Sequence, residues 1–232
     1  MPRTKPAISV IIPSYNEEKY IGMLFGALGR QTFSNFETIV VDGNSTDHTR
    51  EISSKHAKVV TDSSQVIGVA RNRGAKIARG DILVFLDADS RPSPDLLEKY
   101  YGVFKDRRVV AATCPLVPIE RVSDLLGFGF HFATTTLAKT FCGICGANFA
   151  VRRDAFMKSG GFDRTLTTYE DVEFAKRLRR YGSIRFENGS SVAVSARRIK
   201  KWGIIKFTYF NIDNVVRHAL FGRSNSDYER IR

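Results

Sequence analysis

The sequence predicts a single α/β domain with a mostly parallel central sheet and helices on both faces, followed by a basic, aromatic C-terminal helical tail. Three observations predict it. Short apolar runs alternate with segments of helical period as far as residue 114, which is the pattern of successive βαβ units. Polar residues cluster directly after those runs, at the strand ends where open parallel sheets bind ligands. Residues 197–232 hold nine Lys/Arg against three Asp/Glu, a surplus of +6 out of a net charge of +12. The chain therefore divides into a domain over 1–196 and an amphipathic extension over 197–232.

Each element follows from its residues. "ISVII" (8–12) is the first strand, and Asn16 is placed to cap a helix whose Ile21, Leu24, Phe25 and Leu28 share one face. "FETIVV" (36–41) is the second strand, and "DGNSTDHTREI" opens the next helix. "AKVV" (57–60) is a third strand, followed by a helix over 68–78. "ILVFL" (82–86) is a fourth strand, and Pro94 starts a helix carrying Leu96, Leu97, Tyr100, Tyr101 and Phe104. "RVVAATC" (108–114) is a fifth. Beyond it lie a Gly- and Phe-rich apolar stretch over 122–151, the segment "RRDAFMKSGGFD", a helix starting "YEDVEF", and one or two short strands within 183–195.

Composition narrows the function. Hydrophobic residues make up 43% and charged residues 26%, as in soluble globular proteins. No run approaches the roughly 18 apolar residues of a spanning helix, and nothing reads as a secretory signal. The three cysteines do not form a secreted disulfide framework, so the expected location is the cytoplasm. The positive surplus draws anions: nucleic acid, phosphorylated ligands or an anionic membrane. The Cys142-x-x-Cys145 pair lacks a second ligand pair, with only His131 nearby, which argues against a zinc site. Neither a dinucleotide-binding nor a P-loop glycine motif is present.

The chemistry concentrates in four places. Asp87 and Asp89 end the fourth strand. Two carboxylates so close repel unless a cation joins them, and Mg²⁺ binds through one or two carboxylates plus substrate phosphates; a capping Asp followed by a turn Asp is the plainer alternative. Asp42, after the second strand, can accept hydrogen bonds from a nucleobase or ribose, while Ser45, Thr46 and Asp47 can simply cap the next helix. Tyr15 is placed either to stack on a base or to pack. Arg71 can reach a phosphate or base, whereas Arg73 reads as a solvated helix face. Glu170 and Asp171 open a helix, where acids are favoured by the dipole and where a carboxylate can also act as general base.

Five blocks, "SVIIPSYNEE", "VVDGNSTDHT", "GVARNRGAKIARGDILVFLDADS", "GANFAVRRDAFMKSGGFD" and "YEDVEFAKRLRRYG", occur in the order seen in family 2 glycosyltransferases, which the chain resembles over residues 8 to about 195. The resemblance implies an inverting enzyme of the GT-A fold using a UDP- or GDP-sugar. It implies donor contacts from Pro13, Tyr15, Glu17, Asp42, Arg71, Asp87, Ala88 and Asp89. A Mn²⁺ or Mg²⁺ ion would sit at Asp89 with Asp87. Asp171, beside Glu170, would be the catalytic base, and Gly146, Ala147 and Asn148 would border the acceptor. The Q-x-x-R-W signature of processive members is absent.

Basic residues Arg197, Arg198, Lys200 and Lys201 precede Trp202, Ile204, Ile205, Phe207, Tyr209 and Phe210. Such a segment suits either an anionic bilayer surface, with a glycan or lipid-linked acceptor at the inner face of the membrane, or packing on the core with arginine on donor phosphates. Rival functions are a sugar nucleotidyltransferase, whose Gly-rich loop is replaced here by "PSYNEE", and a basic nucleic-acid-binding protein. Clustered acids at the ligand edge and the lack of a nucleic-acid module argue against nucleic acid as a partner.

Overall fold

A computed structural model describes residues 5–119, 143–144 and 146–195, and in the tail residues 197, 200–203, 205–206, 209–210, 213 and 217. The apolar 122–140 stretch, Cys142, Cys145, His131, Arg198, Ile204 and Phe207 lie outside them. No helix among the described residues is long and apolar enough to cross a membrane.

The first strand, β1 (Ile8–Ser14), lies between β2 (Phe36–Asp42) and β4 (Ile82–Leu86) and is parallel to both; β3 (Lys58–Thr61) adds outside β2. The sheet continues through β8 (Asn148–Arg152), β6 (Val109–Thr113) and β9 (Ser183–Phe186), giving the order β3-β2-β1-β4-β8-β6-β9. Strands buried on both faces must be apolar at nearly every position. In β4, Ile82, Val84 and Leu86 face one layer while Leu83 and Phe85 face the other.

The first layer is α1 (Ile21–Leu28) and α4 (Leu96–Val103), through Leu24, Phe25, Leu97 and Tyr100. The second is α3 (Ile67–Ile77), α5 (Arg153–Lys158) and α6 (Glu170–Leu178), through Ala75, Phe156, Phe174 and Leu178. A shorter helix, α2 (Thr49–Ser54), connects β2 to β3. Gly74 of α3 lies so close to β1 that an added Cβ would overlap Ile11 Cγ2.

Three features depart from the sequence reading. The helix expected to start at Asn16 starts at Ile21, without a side-chain cap. Asn16 instead takes a positive φ of 53° and spends its side chain on a neighbouring loop. Secondly, β8 emerges from the apolar stretch as an interior strand, antiparallel to both β4 and β6; an unbroken apolar run carries no signal of direction. Thirdly, β5 (Ser90–Pro92), β7 (Leu116–Pro118) and β10 (Val192–Val194) form a separate small sheet, with β10 central, antiparallel to β5 and parallel to β7.

Candidate active site

The carboxyl ends of β1, β2 and β4 share one edge, since Ser14 pairs with Asp42 and Ile11 with Phe85. The strand ends at Leu86 and the chain turns: Ser90 donates from its backbone N–H (3.1 Å) and hydroxyl (2.6 Å) to the Asp87 carbonyl. The two aspartates therefore meet different cations. Asp87 Oδ1 accepts from Arg71 of α3 at 3.1 Å, while Asp89 Oδ2 lies 3.3 Å from the guanidinium of Arg197. Burial, with Asp87 adding to it, pushes the Asp89 carboxyl up to about 7, despite the pull of Arg197.

Arg71 is the interior hub. Its side chain is 1% exposed and binds Glu170 Oε1 at 2.7 Å, Asp87 at 3.1 Å and the Gly146 carbonyl at 2.6 Å. Beneath it are phenyl rings, Phe162 at 5.4 Å and Phe149 at 6.0 Å from the guanidinium carbon. The rings belong to a packed group with Phe85, Phe156 and Phe174, in stacked, tilted and edge-on pairs. A charge in so apolar a place persists only when paired; both terminal nitrogens of Arg71 are, while its Nε has no hydrogen-bond partner. Arg71 thus holds Asp87, the α6 acids and the approach to β8 together, and its guanidinium is turned inward.

Tyr169, at a φ of 67°, turns the chain into α6 so that Glu170 and Asp171 lead the helix. Strain of this kind persists where surrounding contacts hold it. Asp171 Oδ2 accepts from the Gly146 N–H at 2.7 Å and Oδ1 from its own helix at Val172 (2.8 Å). The Gly146 backbone therefore bridges Asp171, through its N–H, and Arg71, through its carbonyl, and an added Cβ would lie 3.0 Å from Asp171 Oδ2. Burial raises the Asp171 carboxyl above its usual range, against the pull of Arg71 and those two N–H groups. Glu170 is raised too, by burial and then by Asp171, with Arg71 opposing.

At the other end of the edge, two loops are laced together. Asn16 N–H donates to Ser45 Oγ (2.9 Å), Thr46 N–H to Asn16 Oδ1 (2.8 Å), Glu17 N–H to Thr49 Oγ1 (2.7 Å) and Glu18 N–H to Asp47 Oδ2 (3.1 Å). Asp47 also caps α2, accepting from Thr49 at 3.0 Å. Asp42 is buried and bound at both oxygens by Ser45, at 2.6 and 3.0 Å. Tyr15 and Pro13 line this end, half-buried, and a Cβ added at Gly43 would lie 3.2 Å from the Tyr15 Cβ. Arg73 is exposed beside Asp62, as a solvated helix face should be.

Of the trio expected to border the acceptor, Gly146 and Ala147 are half-exposed at this edge, but Asn148 is wholly buried. Its amide accepts from Tyr100 (2.6 Å) and donates to Cys114 Sγ (2.8 Å), behind the wall. Ala88 is likewise buried, leaving only its backbone to the turn. Among the described residues no group of three or more metal-ligating side chains is assembled. Asp87 and Asp89 still fit a hard divalent ion: two oxygen donors with surplus negative charge suit Mg²⁺ or Mn²⁺ when diphosphate oxygens complete the sphere.

The glycosyl transferase family 2 profile matches residues 9–160. The chain belongs to glycosyl transferase family 2. It is 29% identical over 184 residues to an uncharacterized glycosyltransferase of Haemophilus influenzae, covering 74% of this chain and 61% of that one. It is 31% identical over 196 residues to the glycosyltransferase AglE of Haloferax volcanii, covering 76% and 62%. The matches thus span about three fifths of those relatives. Among solved structures, mannosyltransferase PcManGT of Pyrobaculum calidifontis, in complex with GDP-Man and Mn²⁺, superposes with a TM-score of 0.71 at 22% identity, over 97% of this chain and 67% of that one. S. aureus TarS 1–349 in complex with UDP-GlcNAc gives 0.64 at 22%, over 96% and 68%. The fold is the GT-A fold that the sequence blocks implied.

For this family 2 chain, the sequence reading left Arg197 either on a membrane surface or packed on the core with donor phosphates; the register of β10 brings it to Asp89 and Glu17. Sequence reasoning missed two further features. The double use of the Gly146 peptide has no side-chain signature. The Tyr100–Asn148–Cys114 contact joins three elements with no local pattern in common.

Proposed function

We propose that this chain is an inverting, metal-assisted glycosyltransferase. It moves a sugar from a UDP- or GDP-sugar to a hydroxyl or phosphate of a glycan or lipid-linked acceptor. The observation that carries the reading is the convergence of Asp87, Asp89 and Asp171 on one sheet edge, tied through Arg71 and Gly146. Relatives of the same fold bound to UDP-GlcNAc and to GDP-Man with Mn²⁺ support the donor class.

Asp87 and Asp89 would hold the divalent ion, which when bound neutralises charge on the departing nucleoside diphosphate. Asp171 accepts the proton of the acceptor hydroxyl as that oxygen attacks the anomeric carbon. The bond to the diphosphate oxygen breaks on the opposite face, and the configuration inverts. A base needs a pKa near its working pH, and the upward shift at Asp171 moves it that way. Glu170, spent on Arg71, positions Asp171. An acceptor phosphate, already anionic, would need no base.

A lipid-linked acceptor is favoured by the tail, where Ile205 is 84% and Tyr209 69% exposed. Lys200, Lys201 and Lys206 lie close by in sequence, an arrangement that suits an anionic membrane surface. Binding to phosphatidylglycerol vesicles is the check on that part.

The decisive experiment is donor screening by calorimetry with and without Mn²⁺, followed by turnover of Asp171→Asn. The expected result is metal-enhanced binding of a UDP- or GDP-sugar, release of nucleoside diphosphate, and kcat about 10²–10⁴-fold lower in the variant with donor affinity retained. Release of pyrophosphate would mean a nucleotidyltransferase, and unchanged kcat would remove Asp171 from the base role.

A further inference from the structure

The small sheet creates a contact that the transfer chemistry does not use. β10 runs antiparallel to β5 with Val194 opposite Ser90, so the chain leaving β10 passes Asp89, the residue just before β5. Arg197 follows three residues later. Its guanidinium is bidentate on Glu17, at 2.8 and 3.0 Å, and 3.3 Å from Asp89 Oδ2. The Tyr20 ring lies 4.9 Å from its central carbon. All three charged side chains are largely covered, between 13% and 21% exposed. A guanidinium with two carboxylates and an aromatic face is well held. A protein cation therefore stands on the carboxylate assigned to the divalent ion.

We propose that Arg197 is a displaceable counter-cation: in the donor-free enzyme it neutralises Asp89, and entry of the divalent ion evicts it, loosening the C-terminal segment from the core. The inference rests on the proposed metal role of Asp87 and Asp89. Two cations competing for one carboxylate must weaken each other, and linkage makes the effect reciprocal. Whatever factor Arg197 takes from metal affinity, bound metal takes from the docking of the segment. The segment that carries the exposed Ile205 and Tyr209 would then be released when the site is loaded.

The protein carries its own reporter. Trp202 is the only tryptophan in the chain, five residues past Arg197. It packs edge-on to Phe210 with centroids 5.2 Å apart, and Lys206 Nζ lies 5.4 Å from its ring. The full chain is titrated with Mg²⁺ at constant ionic strength, alone and with UDP or GDP, following Trp202 emission and, in parallel, heat of binding.

The expected result is a saturable emission shift in wild type. Arg197→Gln should start near the shifted position and bind Mg²⁺ about fivefold or more tightly. Tyr20→Leu removes the ring under Arg197 without changing charge. It should tighten Mg²⁺ binding in the same direction by less, and it keeps the test open if the first variant folds poorly. Arg197→Lys should fall between Gln and wild type. Equal Mg²⁺ affinity in wild type and the variants overturns the inference while leaving the metal reading intact. No Mg²⁺ binding to any of them, with or without nucleotide, overturns the metal reading and this inference with it.

Discussion

At Arg71 one guanidinium serves Glu170, Asp87 and a carbonyl, with Asp171 beside them and aromatic rings below. Removing such a cation leaves buried carboxylates facing each other, an error that costs roughly 3–5 kcal/mol. Arg71→Met should lower stability by about that amount in urea denaturation. Adding Glu170→Gln should recover a measurable part, since it deletes one stranded charge; an additive double-mutant cycle would show the two residues to be uncoupled. The placement of Asp42, Asp87 and Asp89 at the carboxyl ends of strands was legible from sequence, because each ends or follows an apolar run. The inward commitment of Arg71 was not legible, because its three partners come from the turn after β4, the chain just before β8, and α6. The burial of Asn148 was hidden for the same reason: Tyr100 and Cys114 reach it from other elements.

Among the elements, α3 shows how closely a helix seats on this sheet. Alanine normally improves a helix interior over glycine by about 1 kcal/mol. At Gly74 the new methyl would overlap Ile11 and press on Val41 Cγ2 at 3.2 Å, and overpacking costs about 1–3 kcal/mol. Gly74→Ala should therefore destabilise the protein, read as a lower denaturation midpoint with an unchanged m value; a gain in stability would show that α3 can shift outward. The helices other than α5 were legible in the sequence, α3 within a residue at each end, although α1 starts later than expected. Of the strands beyond residue 115, the two within 183–195 were expected and β7 and β8 were not. β7 has three residues, and β8 is apolar along most of its length, so neither shows the alternation that identifies a half-buried strand.

For the molecule as a whole, the site acids set a pH dependence. Asp89 is raised to about 7, and Glu170 and Asp171 are raised as well, so the folded state binds more protons than the unfolded chain above pH ~4. Their contribution is fully present below that pH and is lost as the pH climbs toward 7. Thermal midpoints of metal-free protein should fall between pH 5 and 8. Asp89→Asn should flatten that fall, with a gain of roughly 2–4 kcal/mol at pH 8 and little at pH 4. A profile unaffected by the substitution would place the strain elsewhere.

One consequence follows from the reversed direction of β8. A parallel strand delivers its end to the ligand edge, whereas β8 delivers its beginning, at Gly146 and Asn148. Because β8 is gripped on both sides by β4 and β6, the backbone at Gly146 is fixed where it meets Arg71 and Asp171, and neither side chain needs to search for it.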